Sequence, residues 1–313
     1  MIIHSPESMM PEPYKTYVQQ RNTTIGDIIE DIVDKDVQLC PRAILPHEHI
    51  GDALIYGAEV RSEDDGLKTA LYEHSMSRYG SVVSSFEEAQ AYFYIQQKAG
   101  NTIRIKDPRE SDGCGQAIVT NIEELAAKFG ELSLPTGKCI LMPHLQHITD
   151  RVSIGRINLG AGHQYCYVGQ ESTVALGDRV AYGGTRLALF RSSRALETRA
   201  LKQFDIDPTL AVIGFKALYA YQNIVITSGR VSVDVIKGTT QSGQLVADVV
   251  DLTPRVGGAT PAEVLAIRAL GNNHIAVASS QLHYGTSGSS RGSGILFVDE
   301  PALAIIAKVE EVL

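Results

Sequence analysis

The chain contains no tryptophan, and phenylalanine and tyrosine together make up only 6% of its 313 residues. No stretch approaches the roughly 18 consecutive apolar residues that a membrane-crossing helix needs. Its opening residues, MIIHSPESMMPEPYK, lack the basic-then-apolar order of a secretory signal, so the chain reads as cytoplasmic, with no membrane partner. Four cysteines (Cys40, Cys114, Cys139 and Cys166) show no CxxC spacing, which argues against a zinc knuckle or a disulfide framework. Basic residues are outnumbered 28 to 36, giving a net charge of -8 and arguing against a dedicated nucleic-acid binder.

What is present is an ordinary globular balance, 44% hydrophobic and 20% charged, in about two domains' worth of chain. Glycine is abundant at 28 residues, a sign of tight turns and close backbone approaches. Apolar spacing predicts helices over Thr24–Val33 and from Leu67 to Met76, and a short strand over 53–60. Ser84 or Ser85 is placed to cap a helix over FEEAQAYFYIQQKA that ends at Gly100, and Asn121 to cap NIEELAAKFGEL. Ile103 and Ile105 alternate with Arg104 and Lys106, predicting a strand that turns through RESDGCGQ into a second strand. Several β runs fill Val152–Phe190. A helix is expected within 195–222, a hairpin from VSVDVIKG to LVADVVDLT, a helix opened by Pro261, and a last helix near 300–313. Hairpins interleaved with helices predict an α+β fold rather than a doubly wound sheet.

Two groups of residues suggest chemistry. Lys106 on its strand, followed by Ser111, Gly113 and Gly115, offers a fixed cation and loop amides to a phosphate. The same residues also fit a surface hairpin with a solvated lysine. In the second group, Asp248 and Asp251 are three apart on a strand and are expected to point to opposite faces. Asp234 and Asp251, on adjacent strands, can face one side and suit Mg²⁺, which takes one or two carboxylates plus phosphate oxygens. Two solvent-facing acids are the alternative. His47 and His49, or His144 and His147, make no complete zinc ligand set. Cys114 has no paired histidine in the sequence and reads as a loop filler.

The order of these groups, with Asp251-Leu-Thr253-Pro-Arg255-Val-Gly257-Gly258, resembles the ATP-grasp superfamily. The segments RIKDPRESDGCGQ, RVAYGGTRLALF and PRVGGATPAEVLAIRAL look like a bacterial branch of it sometimes labelled biotin-carboxylase-like. The resemblance implies an ATP-grasp fold, two α+β subdomains gripping ATP, preceded by an N-terminal α/β region. The implied division is 1–84 for that region, 85–150 for the lid and 151–313 for the catalytic subdomain. It further implies an ATP- and Mg²⁺-dependent ligase that activates a small-molecule carboxylate as an acylphosphate and joins it to an amine. Lys68, Lys106, Ser111, Gly113, Gly115 and His144 would hold the nucleotide. Asp234, Asp251 and Thr253 would hold Mg²⁺. Arg255 and Arg186 would contact the reacting groups, and a homodimer is a superfamily-level expectation. The sequence departs from the pattern at Thr253, where relatives carry Asn, at Asp251, where Glu is usual, and at the hinge Ile140-Leu-Met-Pro-His144-Leu, which has no carboxylate. The departures leave open a non-catalytic nucleotide- or metabolite-binding protein of the same fold.

Overall fold

A computed structural model describes residues 79–108, 115–133, 137–158, 164–177, 179–224, 229–253, 258–284, 294–300 and 303–313. The elements expected before residue 79, and Lys68, His47, His49, Ser111, Gly113, Cys114, Arg255 and Gly257, lie outside these residues.

The first unit is a small antiparallel sheet with two helices. Strands β1 (Ser81–Val83), β2 (Ile103–Lys106), β3 (Gln116–Val119) and β4 (Cys139–Pro143) lie in the order β1-β4-β2-β3. Helix α1 (Phe86–Lys98) begins as its capping serine predicts. Ser85 Oγ accepts from the Glu88 amide, and the Glu88 carboxylate accepts from the Ser84 amide at 2.8 Å. This reciprocal cap satisfies the Glu88 amide, which the first helical turn leaves unpaired, and the Ser84 amide just before the helix. Helix α2 (Ile122–Leu132) repeats the device with Asn121 and Glu124. Both helices pack on the sheet face that carries Ile103, Ile105 and Leu141. By strand alternation Arg104 and Lys106 occupy the other face. Ile140, the register partner of Lys106, joins the core of the second unit. The helix-free face of the small sheet is therefore turned toward the larger one.

His144 links the two, its amide donating to the Thr102 carbonyl at 2.9 Å. The second unit is an eight-stranded antiparallel sheet in the order β11-β12-β10-β7-β6-β5-β8-β9. Its strands are β5 (Leu145–Asn158), β6 (Gln164–Leu176), β7 (Arg179–Arg191), β8 (Gly229–Thr240), β9 (Leu245–Thr253), β10 (Ile275–Tyr284), β11 (Ile295–Glu300) and β12 (Leu303–Val312). One face packs Ile154, Val168, Val233, Val235 and Leu252 against α3 (Arg194–Gln203) and α4 (Pro208–Ile224). The opposite face packs Tyr167, Leu187, Leu189 and Ala278 against α5 (Thr260–Leu270).

Two expectations are corrected. The last helix expected near 300–313 is β12, which pairs with β10 on one side and β11 on the other. Its consecutive Ile305, Ile306 and Ala307 are all buried, as a strand covered on both faces requires and an amphipathic terminal helix does not. Asp248 and Asp251 do not point to opposite faces. The register runs Asp234↔Asp251 and then Val235↔Val249, leaving Val250 as an extra residue. This bulge cancels one alternation step, so Asp248 lies on the same face as Asp251. Asp248 is nevertheless buried apart from it, accepting from the Tyr79 amide at 3.1 Å.

Candidate functional site

The α5 face of the large sheet is apolar under the helix and polar beyond it, toward β8 and β9. One register row across it reads Asp251–Asp234–Ser153–Gly169–Leu187. Opposite residues of an antiparallel pair share a face, so the two aspartates stand side by side. Ser153 Oγ donates to Asp234 Oδ1 at 3.1 Å and lies 3.4 Å from the Tyr167 hydroxyl. Thr253 pairs with Ser232 at the next position of the same face. Thus Asp234, Asp251 and Thr253 are brought together.

A third carboxylate, not singled out from the sequence, borders this pair. Glu171 on β6 is the register partner of Thr185, two residues from Leu187 on the same face. Burial pushes its carboxyl well above the usual carboxylate range, the Asp234 carboxylate pushes it further, and the Arg151 guanidinium pulls it back. Tyr182 completes the border. Its hydroxyl makes a short hydrogen bond with Thr185 Oγ1, Tyr284 Oη donates to its carbonyl at 2.8 Å, and burial followed by the Glu171 charge keeps the phenol protonated. Gly258 sits against the Tyr182 ring, where any Cβ would overlap it. Gly155 does the same under Tyr167, its register partner, and so lets that ring lie along the strand with its hydroxyl near Ser153. Glu171 and Arg151 carry one weak signal in the sequence: charged residues inside otherwise β-forming runs.

Lys106 stands on the helix-free face of the small sheet, as expected for a residue alternating with Ile105. Gly115 adopts a positive φ of 57° where its carbonyl accepts from the Asp107 amide at 2.7 Å, a backbone state that suits glycine. His144 holds its place at the hinge, with Nδ1 3.4 Å from Arg104 Nη2, and burial with the Arg104 charge lowers its tendency to protonate. The structure does not bring Arg186 to this group. It alternates with Leu187 and so lies on the α3/α4 face, where its Nε donates to Glu310 at 2.6 Å and its guanidinium covers the Phe204 ring.

The donor set fits Mg²⁺ in one respect: carboxylate and hydroxyl oxygens are the ligands of a hard cation that completes its shell with water and phosphate. Among the described residues, no three His, Cys, Asp or Glu side chains are arranged to grip a metal by themselves. Cys139 is buried, and burial first and Asp107 second push its thiol up to about 12, so it is no nucleophile. No described helix is long and apolar enough to cross a membrane.

No curated protein matches the sequence. Among solved structures the chain is similar to the biotin carboxylase domain of Hydrogenobacter thermophilus 2-oxoglutarate carboxylase, at 13% identity and a TM-score of 0.53, over 96% of this chain and 76% of that one. It is also similar to Campylobacter jejuni biotin carboxylase, at 11% identity and a TM-score of 0.52, over 92% and 74%. At such identities the likeness is one of fold, and that fold is ATP-grasp. Residues 54–308 match a family described as "Protein of unknown function (DUF3182)", and the chain belongs to that family.

Proposed function

We propose that the chain is an ATP- and Mg²⁺-dependent, ADP-forming ligase. It transfers the terminal phosphoryl group of ATP to a small-molecule carboxylate, and an amine then displaces phosphate from the acylphosphate. The observation that carries this reading is the cross-strand pairing of Asp234 with Asp251 on the part of the α5 face beyond the helix. The fold likeness supports it. The Hydrogenobacter domain was solved as a dimer with MgADP and bicarbonate.

In this reading strands β2, β3 and β4 of the small sheet are the core of a lid assigned to 85–150, working over a catalytic part assigned to 151–313. Strand β5 runs through that boundary, so lid and core share a continuous element. Lys106, with Lys68, Ser111, Gly113, Gly115 and His144, holds the nucleotide, and closure of the loop keeps water from the acylphosphate. Asp234, Asp251 and Thr253 hold Mg²⁺, which would neutralise charge on the phosphoryl group in transfer. Arg255 steadies the acylphosphate. The partners are the carboxylate and amine substrates, with a second copy of the chain as a further candidate.

Incubation with Mg-ATP and pooled carboxylates and amines tests the reading. ADP and phosphate should form together, and Asp251→Asn should slow their release by about a hundredfold or more. Absence of both ADP release and a nucleotide-dependent thermal shift would refute it. The hinge favours one second reading, a nucleotide or metabolite binder without turnover. Between Ile140 and Leu145 it offers His144, already engaged with Arg104, and no carboxylate. That reading predicts a thermal shift with no ADP.

A further inference from the structure

Two hydrogen-bonded chains tie the small sheet and its helix α1 to the outer half of the β8–β9 hairpin. Asn101, buried between α1 and β2, accepts at Oδ1 from the Ser242 amide in the hairpin turn at 3.2 Å. Its Nδ2 donates to Gln96 Oε1 on α1 at 3.2 Å. Asp248 on β9, also buried, accepts at Oδ2 from the Tyr79 amide at 3.1 Å, and the Tyr79 carbonyl accepts from Tyr92 Oη on α1 at 2.6 Å. Between the two chains Leu145, Ile236 and Val246 form a buried cluster with Tyr79 and Val250 packed against it. Parting these surfaces strands buried donors and acceptors, which costs more than the bonds contribute when made.

The same half of the hairpin is set off from the rest of the large sheet by irregular pairing. From Gly229 to Asp234, β8 pairs without a break with β5 and, from Ser232, with β9. Beyond Asp234 the pairing slips at Val250 on the β9 side, and at Gln146 and Thr149 on the β5 side. Bulges interrupt the ladder and bend the strand that carries them. Gly238 stands among them, so close to β5 that a Cβ would come 2.4 Å from the His147 carbonyl oxygen. Asp248 and Asp251 therefore lie on either side of the Val250 bulge, the first tied to Tyr79 and the second paired with Asp234.

We propose that Asn101 and Asp248 are positioning residues: they make the outer half of the β8–β9 hairpin one body with the small sheet, and so couple the placement of that sheet, through the Val250 bulge, to the Asp234–Asp251 pair. Neither residue touches a ligand in this role. Asn101 acts through the hairpin turn and Asp248 through its own strand, and any shift of the sheet that carries Lys106 is felt where β9 meets Asp234. The coupling to the pair rests on the ligase reading, whereas the joint itself is tested without any ligand.

The first arm is amide hydrogen exchange of the full, ligand-free chain, followed by peptide. Asn101→Leu keeps the size of the side chain and removes both polar contacts. Exchange should become about tenfold faster over 236–248 and over 101–106 together, with 151–158 and 229–234 at wild-type rates. Tyr92→Phe deletes one hydroxyl, is the milder change, and should give the same pattern more weakly. Asn101→Asp keeps the acceptor for the Ser242 amide and should restore wild-type rates. Faster exchange in only one of the two segments, or spread evenly over the chain, would overturn the proposal. The second arm is calorimetric titration with Mg-nucleotide, where Asn101→Leu should weaken binding about tenfold and Asn101→Asp should recover it. Equal affinity in wild type and Asn101→Leu would overturn the coupling to the aspartates. A wild type that binds no Mg-nucleotide refutes the ligase reading and with it the coupling, and the first arm still decides whether the two segments form one body.

Discussion

Asp234 and Asp251 face one another across the β8–β9 hairpin as direct register partners, and the residue after Asp234 in the ladder is where the register slips. The slip matters because β9 carries acids at both 248 and 251. Without the extra Val250 one of them would be turned into the apolar layer beneath α4. With it, Val249 fills that layer, Asp248 caps the Tyr79 amide, and Asp251 is left beside Asp234. The bulge therefore sorts two chemically identical side chains into a structural role and a candidate functional one.

Like charges opposite one another destabilise a ladder. Asp234→Asn should therefore raise the melting temperature of the ligand-free chain, by about 1 kcal/mol or about 2 °C. If this pair holds the proposed Mg²⁺, millimolar Mg²⁺ with nucleotide should stabilise the wild type, and the same substitution should remove that stabilisation. A melting series with and without Mg-nucleotide measures both signs. A variant that melts lower and still responds to Mg²⁺ would contradict the metal role.

The glycine under Tyr167 gives a packing prediction. A methyl group at position 155 overlaps the ring, so Gly155→Ala should cost about 1–3 kcal/mol by overpacking. Truncating the ring removes the overlap, and the double substitution Gly155→Ala with Tyr167→Leu should cost less than the two single losses added. Denaturant unfolding of the four proteins gives the coupling directly.

Arg186 separates fold from function. Its partners are Glu310 and the Phe204 ring, on the face away from the aspartates. Arg186→Met should lower stability by about 1 kcal/mol, from a partly exposed ion pair and a cation–π contact, and leave Mg-nucleotide binding unchanged. Calorimetric titration of the variant with Mg-nucleotide checks this, and a lost or weakened isotherm would return Arg186 to the site.

Local signals were legible where one short stretch of chain decides the outcome. Ser85 and Asn121 cap the helices they precede because capping needs only the next three residues. Lys106 alternates with Ile105 on one strand, and Asp234 and Asp251 sit on consecutive strands of a hairpin, so their shared face also followed from local order. What depended on non-local pairing was hidden. The Val250 bulge is set by how β9 meets β8. The terminal Leu303–Val312 segment has a composition that suits a helix, and only β10 and β11 on its two sides make it a strand. Glu171 reaches the aspartates from β6, across β5, from more than 60 residues earlier in the chain. Arg186 lies one residue from the site-facing Leu187, and a single alternation step decides which face an isolated β run presents.

The last prediction concerns Glu171 and pH. Its carboxyl is held well above the usual range in the folded chain, by burial and by Asp234, whereas in the unfolded chain it titrates near the ordinary value of about 4.3. Between those two values the folded state binds more protons than the unfolded state. Stability from this group is therefore fully present below about pH 4.3 and is lost as pH rises through the raised folded value. Glu171→Gln keeps the shape and removes the titration. The variant should melt higher than the wild type at pH 8, and the two curves should converge as pH falls below the ordinary glutamate value. Mg²⁺ with nucleotide at pH 8 should narrow the gap from the wild-type side, because a cation beside Asp234 relieves the charge that Glu171 meets. Parallel melting curves at every pH, with no convergence on acidification, would show that Glu171 is ionised as freely in the fold as in water.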